Sequence, residues 1–167
     1  LLWECKKIIE NKRPKYLLME NVKNLVSKKH KPHFDKWLAW LEDQGYINSW
    51  KILNSKDYGI PQHRERIFLV SILDENFQYN FPSKVELKTT IFDFLEKNVN
   101  EKYYLSEKAI EKMKRFAPKG VMPDGICPVL TTELAHSTGK NVHPKLCNVI
   151  GTYRRITPKE AFRLMGM

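Results

Sequence analysis

The chain has 167 residues, enough to bury a real core as one domain or as one lobe with a small insert, and no apolar run reaches transmembrane length. Its 29 Lys+Arg against 19 Asp+Glu leave a formal charge of +10, which favours a polyanionic partner, nucleic acid above all. Cys5, Cys127 and Cys147 are odd in number and lack C-x-x-C spacing, which argues against a disulfide framework and for a reducing cytosol. The start, Leu1-Leu2-Trp3-Glu4-Cys5, has no charged signal-peptide region and no Met; it reads as the middle of a helix in a chain cut from something longer.

Leu1, Leu2, Cys5, Ile8 and Ile9 fall on one helical face, which ends before Asn11-Lys12-Arg13-Pro14. Tyr16-Leu17-Leu18-Met19 is a continuous apolar run, the pattern of a buried central strand in a parallel sheet. It stops at Glu20-Asn21-Val22 and is followed by a basic loop with Lys28, Lys29 and Lys31. Phe34, Trp37, Leu38 and Leu41 at i, i+3, i+4, i+7 predict a second helix, with Gly45 as its stop. Residues 46–53 and 66–73 read as further strands around the Gly59-Ile60-Pro61 turn, giving an α/β sheet with at least one antiparallel member. From residue 74 to about 147 the prolines concentrate and only two short helices are expected, over 90–96 and 106–116. Order returns with a strand over 148–153, and then Thr157-Pro158-Lys159-Glu160 forms a capping box that opens a helix ending at Gly166.

Chemistry concentrates at a few of these positions. Glu20 sits where a strand ends, and ligand crevices in open α/β sheets lie outside the carboxyl ends of strands. It is placed either to donate a proton to a ligand or to cap the next helix or pair with Arg64. Asn21 suits a turn held by its side chain. In Gln62-His63-Arg64-Glu65-Arg66, strand alternation puts Gln62, Arg64 and Arg66 on one face. Three such groups suit a ligand with several acceptors, because guanidinium is a rigid fork of donors; structural ion pairs account for two arginines equally well. Trp37 belongs to the core by its helix position, and Trp50 to strand packing.

Glu20-Asn21-Val22, then Gln62-x-Arg64-x-Arg66, then Arg155-Ile156-Thr157-Pro158-Lys159-Glu160 with Arg163-Leu164-Met165-Gly166, taken in that order and spacing, resemble the DNA (cytosine-5)-methyltransferase family. The flanking Arg13-Pro14-Lys15-Tyr16 and the run from Leu53 to Gln62 agree with it. The resemblance covers residues 1–73 and 148–167. It implies an α/β fold: part of a Rossmann-like S-adenosylmethionine-dependent methyltransferase sheet at 1–73 and 148–167, and a small irregular target-recognition lobe at 74–147. In the implied mechanism a cysteine thiolate adds to C6 of a cytosine flipped from double-stranded DNA, activating C5 to take the methyl group. Glu20 then matches the glutamate that serves the N3 side, Arg66 the arginine that reaches O2, and Arg64 the neighbour that braces the site, with Asn21 and Gln62 in support. Arg155, Thr157 and Glu160 match a structural motif. In the recognition lobe Thr131, Thr132, His136, Lys140 and Asn141 carry suitable donors and acceptors for base edges, and Lys28, Lys29 and Lys31 suit phosphates.

The resemblance also shows what is missing. The seven glycines never form G-x-G, and no cysteine follows a proline, so the chain has neither the cofactor loop nor the nucleophile of the family. No metal-ligating set stands out. The expectation is a fragment of a methyltransferase, of the kind found in restriction-modification systems and inactive alone. The alternatives are one half of a split enzyme, completed by a chain with the missing motifs, and a non-catalytic, sequence-specific DNA-binding module. The tRNA-directed branch of the family is a further substrate alternative, weakened by the absence of its Cys-Phe-Thr signature.

Overall fold

The computed structural model describes residues 2–74, 76–116, 125–130, 146–149 and 152–167. They cluster into two compact units, one of residues 1–53 and 65–83 and one of residues 54–64 and 84–167.

In the first unit a turn of 3-10 helix leads into α1 (Cys5–Lys12). The helix ends where Arg13 takes a left-handed conformation, and Pro14 follows. β1 (Tyr16–Val22), α2 (Lys31–Asp43), β2 (Ile47–Asn54) and β4 (Glu65–Ile72) complete the unit, with strand order β1-β4-β2. α2 starts with Pro32 in its first turn and stops at Gly45, whose φ of +89° glycine adopts without strain. Both helices pack on one face of the sheet, where Ile9, Phe34, Trp37, Leu41, Tyr46, Ile67 and Leu69 are buried. Each such side chain contributes about 1.5–3 kcal/mol through burial. Tyr46 also donates its hydroxyl to Pro14 O at 2.7 Å, tying the start of β2 to the start of β1.

In and beside this sheet, two strand expectations change. β1 is an outer strand, antiparallel to β4, and it runs on through Glu20, Asn21 and Val22. Its burial alternates: Leu17, Met19 and Asn21 are half-buried, whereas Tyr16, Leu18, Glu20 and Val22 are exposed. An unbroken apolar run reads as a strand buried on both faces, but among the described residues only one face of β1 is covered. The segment from Gln62 to Arg66 is also not one strand. β3 (Gln62–His63) ends before Arg64, and β4 begins after it. Strand alternation therefore does not run through Arg64, and Gln62 and Arg64 belong to the second unit while Arg66 belongs to the first.

In the second unit β3 pairs in parallel with β5 (Cys127–Pro128), Gln62 opposite Cys127. The predicted short helix at 90–96 is a single 3-10 turn, Ile91–Phe94, capped by Thr90 and Asp93; the second is α3 (Glu107–Phe116). The strand expected at 148–153 is instead two antiparallel strands, β6 (Leu146–Val149) and β7 (Thr152–Arg155). α4 (Pro158–Leu164) follows, with Thr157 as N-cap as its sequence predicts. Ile91, Cys127, Ile156 and Leu164 form the buried centre of this unit.

Candidate active site

In the antiparallel register of β1 against β4, Glu20 lies opposite Phe68 and Val22 opposite Arg66. Glu20 and Arg66 are thus diagonal neighbours on the sheet face away from the two helices, within reach of long side chains. The Arg66 Nε stands 3.0 Å from Glu20 Oε1, with side-chain exposures of 17% and 44% respectively. Arg66 is held further by its Nη1, which donates to Glu65 O at 2.8 Å, and Glu65 in turn takes Lys23 Nζ at 2.9 Å. The arginine is therefore fixed and mostly covered, while the carboxylate beside it is half-exposed. Asn21 accepts the Val22 N–H on its Oδ1 at 2.8 Å, within β1 rather than in a turn after it.

Arg64 is anchored through its backbone. Its N–H donates to Asn54 Oδ1 at 3.1 Å, and its carbonyl accepts from Ser55 N at 3.1 Å. Asn54 is buried, and the same oxygen accepts from Lys56 N at 3.4 Å, capping the 3-10 turn Ser55–Tyr58. Asn54 escaped the sequence reading, although Asn before a short turn is a recognised capping signal. Gln62 is buried to 1% exposure, and among the described residues neither its Oε1 nor its Nε2 has a hydrogen-bond partner.

The strongest electrostatic arrangement lies around Glu160, in the second unit. Arg154 Nη1 and Nη2 donate to Glu160 Oε2 and Oε1 at 2.8 and 2.6 Å, a two-pronged bond between side chains that are nearly inaccessible. The Thr157 N–H donates to Oε2 at 2.8 Å and the Glu96 N–H to Oε1 at 2.7 Å. Thr157 Oγ1 accepts from Glu160 N and donates to Glu96 Oε2 at 2.6 Å. Burial by itself raises the Glu160 pKa, but the donors from Arg154, Thr157 and Glu96, with the guanidinium charge, outweigh it and hold the carboxyl below its usual range. Thr157 and Glu160 were legible in the capping box. The arginine that pairs with Glu160 is Arg154, whereas Arg155 is half-buried beside it in β7. Glu96 carried no signal in the sequence.

The remaining candidates separate. Lys28 and Lys29 are exposed, and Lys31 pairs with Asp35 at 2.8 Å one helical turn on. Thr131, Thr132, His136, Lys140 and Asn141 lie outside the described residues. The tryptophans pack on aromatic neighbours: Trp3 and Trp40 on Trp37, and Trp50 on Phe34. Among the described residues no cluster of His, Cys, Asp and Glu is arranged to hold a metal ion, and no helix is long and apolar enough to cross a membrane.

The family described as C-5 cytosine-specific DNA methylase matches residues 1–146. That match runs through 74–146, beyond the stretches that carry the motifs. The type II methyltransferase M2.ScrFI of Lactococcus lactis subsp. cremoris is 43% identical, aligning with 100% of this chain and 48% of its own length. The type II methyltransferase M.Bsp6I of Bacillus sp. (strain RFL6) is 31% identical, over 99% of this chain and 58% of its own. The chain thus spans about half the length of these relatives. In fold it is similar to the S. pombe Dnmt2 methyltransferase, with a TM-score of 0.72 at 23% identity over 99% of this chain and 59% of that one. The Entamoeba histolytica methyltransferase EhMeth gives 0.67 at 19%, over 92% and 51%. The described residues accordingly form part of a methyltransferase α/β fold. On the family match and the relatives at 43% and 31% identity, the chain belongs to the C-5 cytosine-specific DNA methylase family.

Proposed function

We propose that this chain is the base-holding and target-recognition part of a DNA (cytosine-5)-methyltransferase of a restriction-modification system. The observation that carries the reading is the Glu20–Arg66 pair, a fixed, mostly covered guanidinium next to a half-exposed carboxyl on the sheet face away from the helices. Cytosine presents its N3 and O2 side by side, so a carboxyl and a guanidinium about one hydrogen bond apart match that edge. When a thiolate adds to C6, electron density moves onto N3 and O2. Glu20 gives its proton to N3, or shares it there, and Arg66 donates to O2. Donors already in place for developing charge are commonly the largest single contribution to such a rate. Asn21, next to Glu20 in β1, supports the pair; Arg64 and Gln62 keep the supporting roles the resemblance implies, and the Arg64 backbone is held by Asn54 and Ser55.

The group that adds to C6 comes from outside this chain, because none of its cysteines follows a proline as the family nucleophile does. S-adenosylmethionine supplies the methyl group in the family. The residues present here do not make its cradle, since the chain has no G-x-G turn, and no step is assigned through it. In this reading residues 1–73 and 148–167 serve the catalytic domain and residues 74–147 the recognition lobe, the chain alone transfers no methyl group, and its substrate is double-stranded DNA.

The test uses an enzyme reassembled with the missing half of a relative. Glu20→Gln and Arg66→Ala are each expected to lower methyl transfer by about 10²–10³-fold while changing DNA affinity by less than about tenfold. Turnover within a factor of a few of the parent in both variants overturns the roles given to Glu20 and Arg66.

A further inference from the structure

The chain passes between the two units three times, at 53/54, 64/65 and 83/84. On the second unit's side, residues at all three places are bonded within one short segment, Asn54 to Asp57. The excursion over 54–64 is closed at its base: the Arg64 N–H donates to Asn54 Oδ1 at 3.1 Å, and the Ser55 N–H donates to Arg64 O at 3.1 Å. Asn54 is buried, so water competes little for that oxygen. The same oxygen lies farther from Lys56 N, at 3.4 Å, so closing the excursion is its stronger bond and capping the turn its weaker one. Asp57 then reaches the third place twice. Its carbonyl accepts the Val85 N–H at 2.9 Å, and its carboxylate takes Lys84 Nζ at 2.8 Å. That ammonium holds the Asp57 carboxyl below its ordinary range. An exposed ion pair alone stabilises little. Here the main-chain bond to Val85 already places Lys84 beside Asp57, so less side-chain freedom is lost in pairing.

We propose that Asn54 and Asp57 are positioning residues of the base-holding site: the segment 54–57 is a clasp that fixes Arg64 by its main chain and ties it to Lys84–Val85. The proposal rests on the functional reading above, and it supplies what that reading lacks, an account of what sets Arg64. Arg64 stands between β3 and β4 and belongs to neither, so no strand ladder fixes its backbone. Its N–H also lies 3.0 Å from Gln62 O, but that contact spans two residues and closes nothing. The clasp is what remains to hold it. Lys84 and Val85 lie in the stretch given above to target recognition, so one small turn joins the residue that braces the base site to the segment that reads the sequence. The turn itself is shaped for this: Gly59, at a φ of +85°, donates its N–H to Ser55 O and brings the chain back toward Gln62 and Arg64.

The experiment reads amide hydrogen exchange by NMR in this chain and turnover in the reassembled enzyme. The Val85 N–H bonds to Asp57, so its exchange in Asn54→Ala reads the clasp away from the substituted side chain. The Arg64 and Val85 amides should both exchange at least about tenfold faster, while the Ala161 N–H, bonded to Thr157 O in the same unit, keeps its rate. Asn54→Asp, which keeps an acceptor oxygen, should return both amides to the parent rate. Lys84→Gln, at an exposed position that spares the core, should loosen the same two amides, and it decides the matter if Ala161 also loosens in Asn54→Ala. In the reassembled enzyme Asn54→Ala should lower kcat by about 10–100-fold with little change in KM for DNA, and Asn54→Asp should restore kcat. The proposal is overturned if Arg64 loosens and Val85 does not, if Lys84→Gln leaves Arg64 unchanged, or if both amides loosen and kcat does not fall. Exchange is read without methyl transfer, so loosening as expected in an enzyme whose Glu20→Gln variant keeps its turnover defeats the functional reading and not the clasp.

Discussion

Glu160 keeps its charge in a place water does not reach because four donor groups converge on its two oxygens, and Arg154 supplies two of them. Removing one member of a buried pair leaves the other charge uncompensated, which typically costs about 3–5 kcal/mol. Arg154→Ala should therefore lower the stability of the second unit by that much in urea unfolding, and Glu160→Gln, which keeps the shape, by less. The sign of the pH dependence follows from the lowered pKa. A carboxyl held below its unfolded value stabilises the fold above that unfolded value, and the contribution disappears as pH falls through the folded one. Acid titration of the parent should show stability lost below the ordinary glutamate range, and the same titration of Glu160→Gln should be flatter. A slope unchanged by Glu160→Gln would remove this carboxyl as its source. At this scale the sequence was partly legible. Thr157 and Glu160 announce themselves by spacing, but nothing in the doublet Arg154-Arg155 says which one turns inward. The two alternate across β7, and only the pairing of that strand decides.

Helix α4 shows how much one cap can organise. Its Thr157 hydroxyl accepts the Glu160 N–H and donates to Glu96, so a local capping box reaches 61 residues back along the chain. Thr157→Ala should cost about 1–2 kcal/mol, the upper part of the range for a lost N-cap, because two bonds go together. Thr157→Ser should recover most of it in the same unfolding experiment. The turn capped by Thr90 is tested at Gly125, whose carbonyl accepts the Ile91 N–H at 2.7 Å. Gly125 has a φ of +64°, and a Cβ there would lie 2.9 Å from Thr90 Cβ, so Gly125→Ala should destabilise this unit as well. Elements with local causes, namely α2 and α4, were readable from spacing and caps, whereas the Thr90 turn read as a longer helix over 90–96. β1 was readable as a strand but not as an outer one, because sidedness depends on which neighbours are present. The β6–β7 pair was missed although Gly151, between the two strands in sequence, is a turn signal.

For the molecule as a whole, under the proposed function, the excess of 10 positive charges and a division between 1–73 and 74–147 would separate two properties of DNA binding. Lysines that meet phosphates add affinity without sequence preference, since each neutralised phosphate releases condensed counterions. Lys28 and Lys29 are exposed and extend from the first unit, whereas Lys31 is partly neutralised by Asp35. Replacing Lys28 and Lys29 by Gln in the reassembled enzyme should weaken binding to every sequence alike. It should also reduce the slope of log K against log salt by about one for each phosphate no longer neutralised. Lys31→Gln should do less. Exchange of residues 74–147 for the corresponding stretch of a relative with another target should do the opposite, changing the methylated sequence while leaving the salt slope nearly as it was. Binding isotherms at several salt concentrations, with methylation mapped on the same DNA, check both. If the exchanged lobe left the target unchanged, recognition would have to lie outside 74–147; if the lysine variants changed the target, the separation of affinity from specificity would fail.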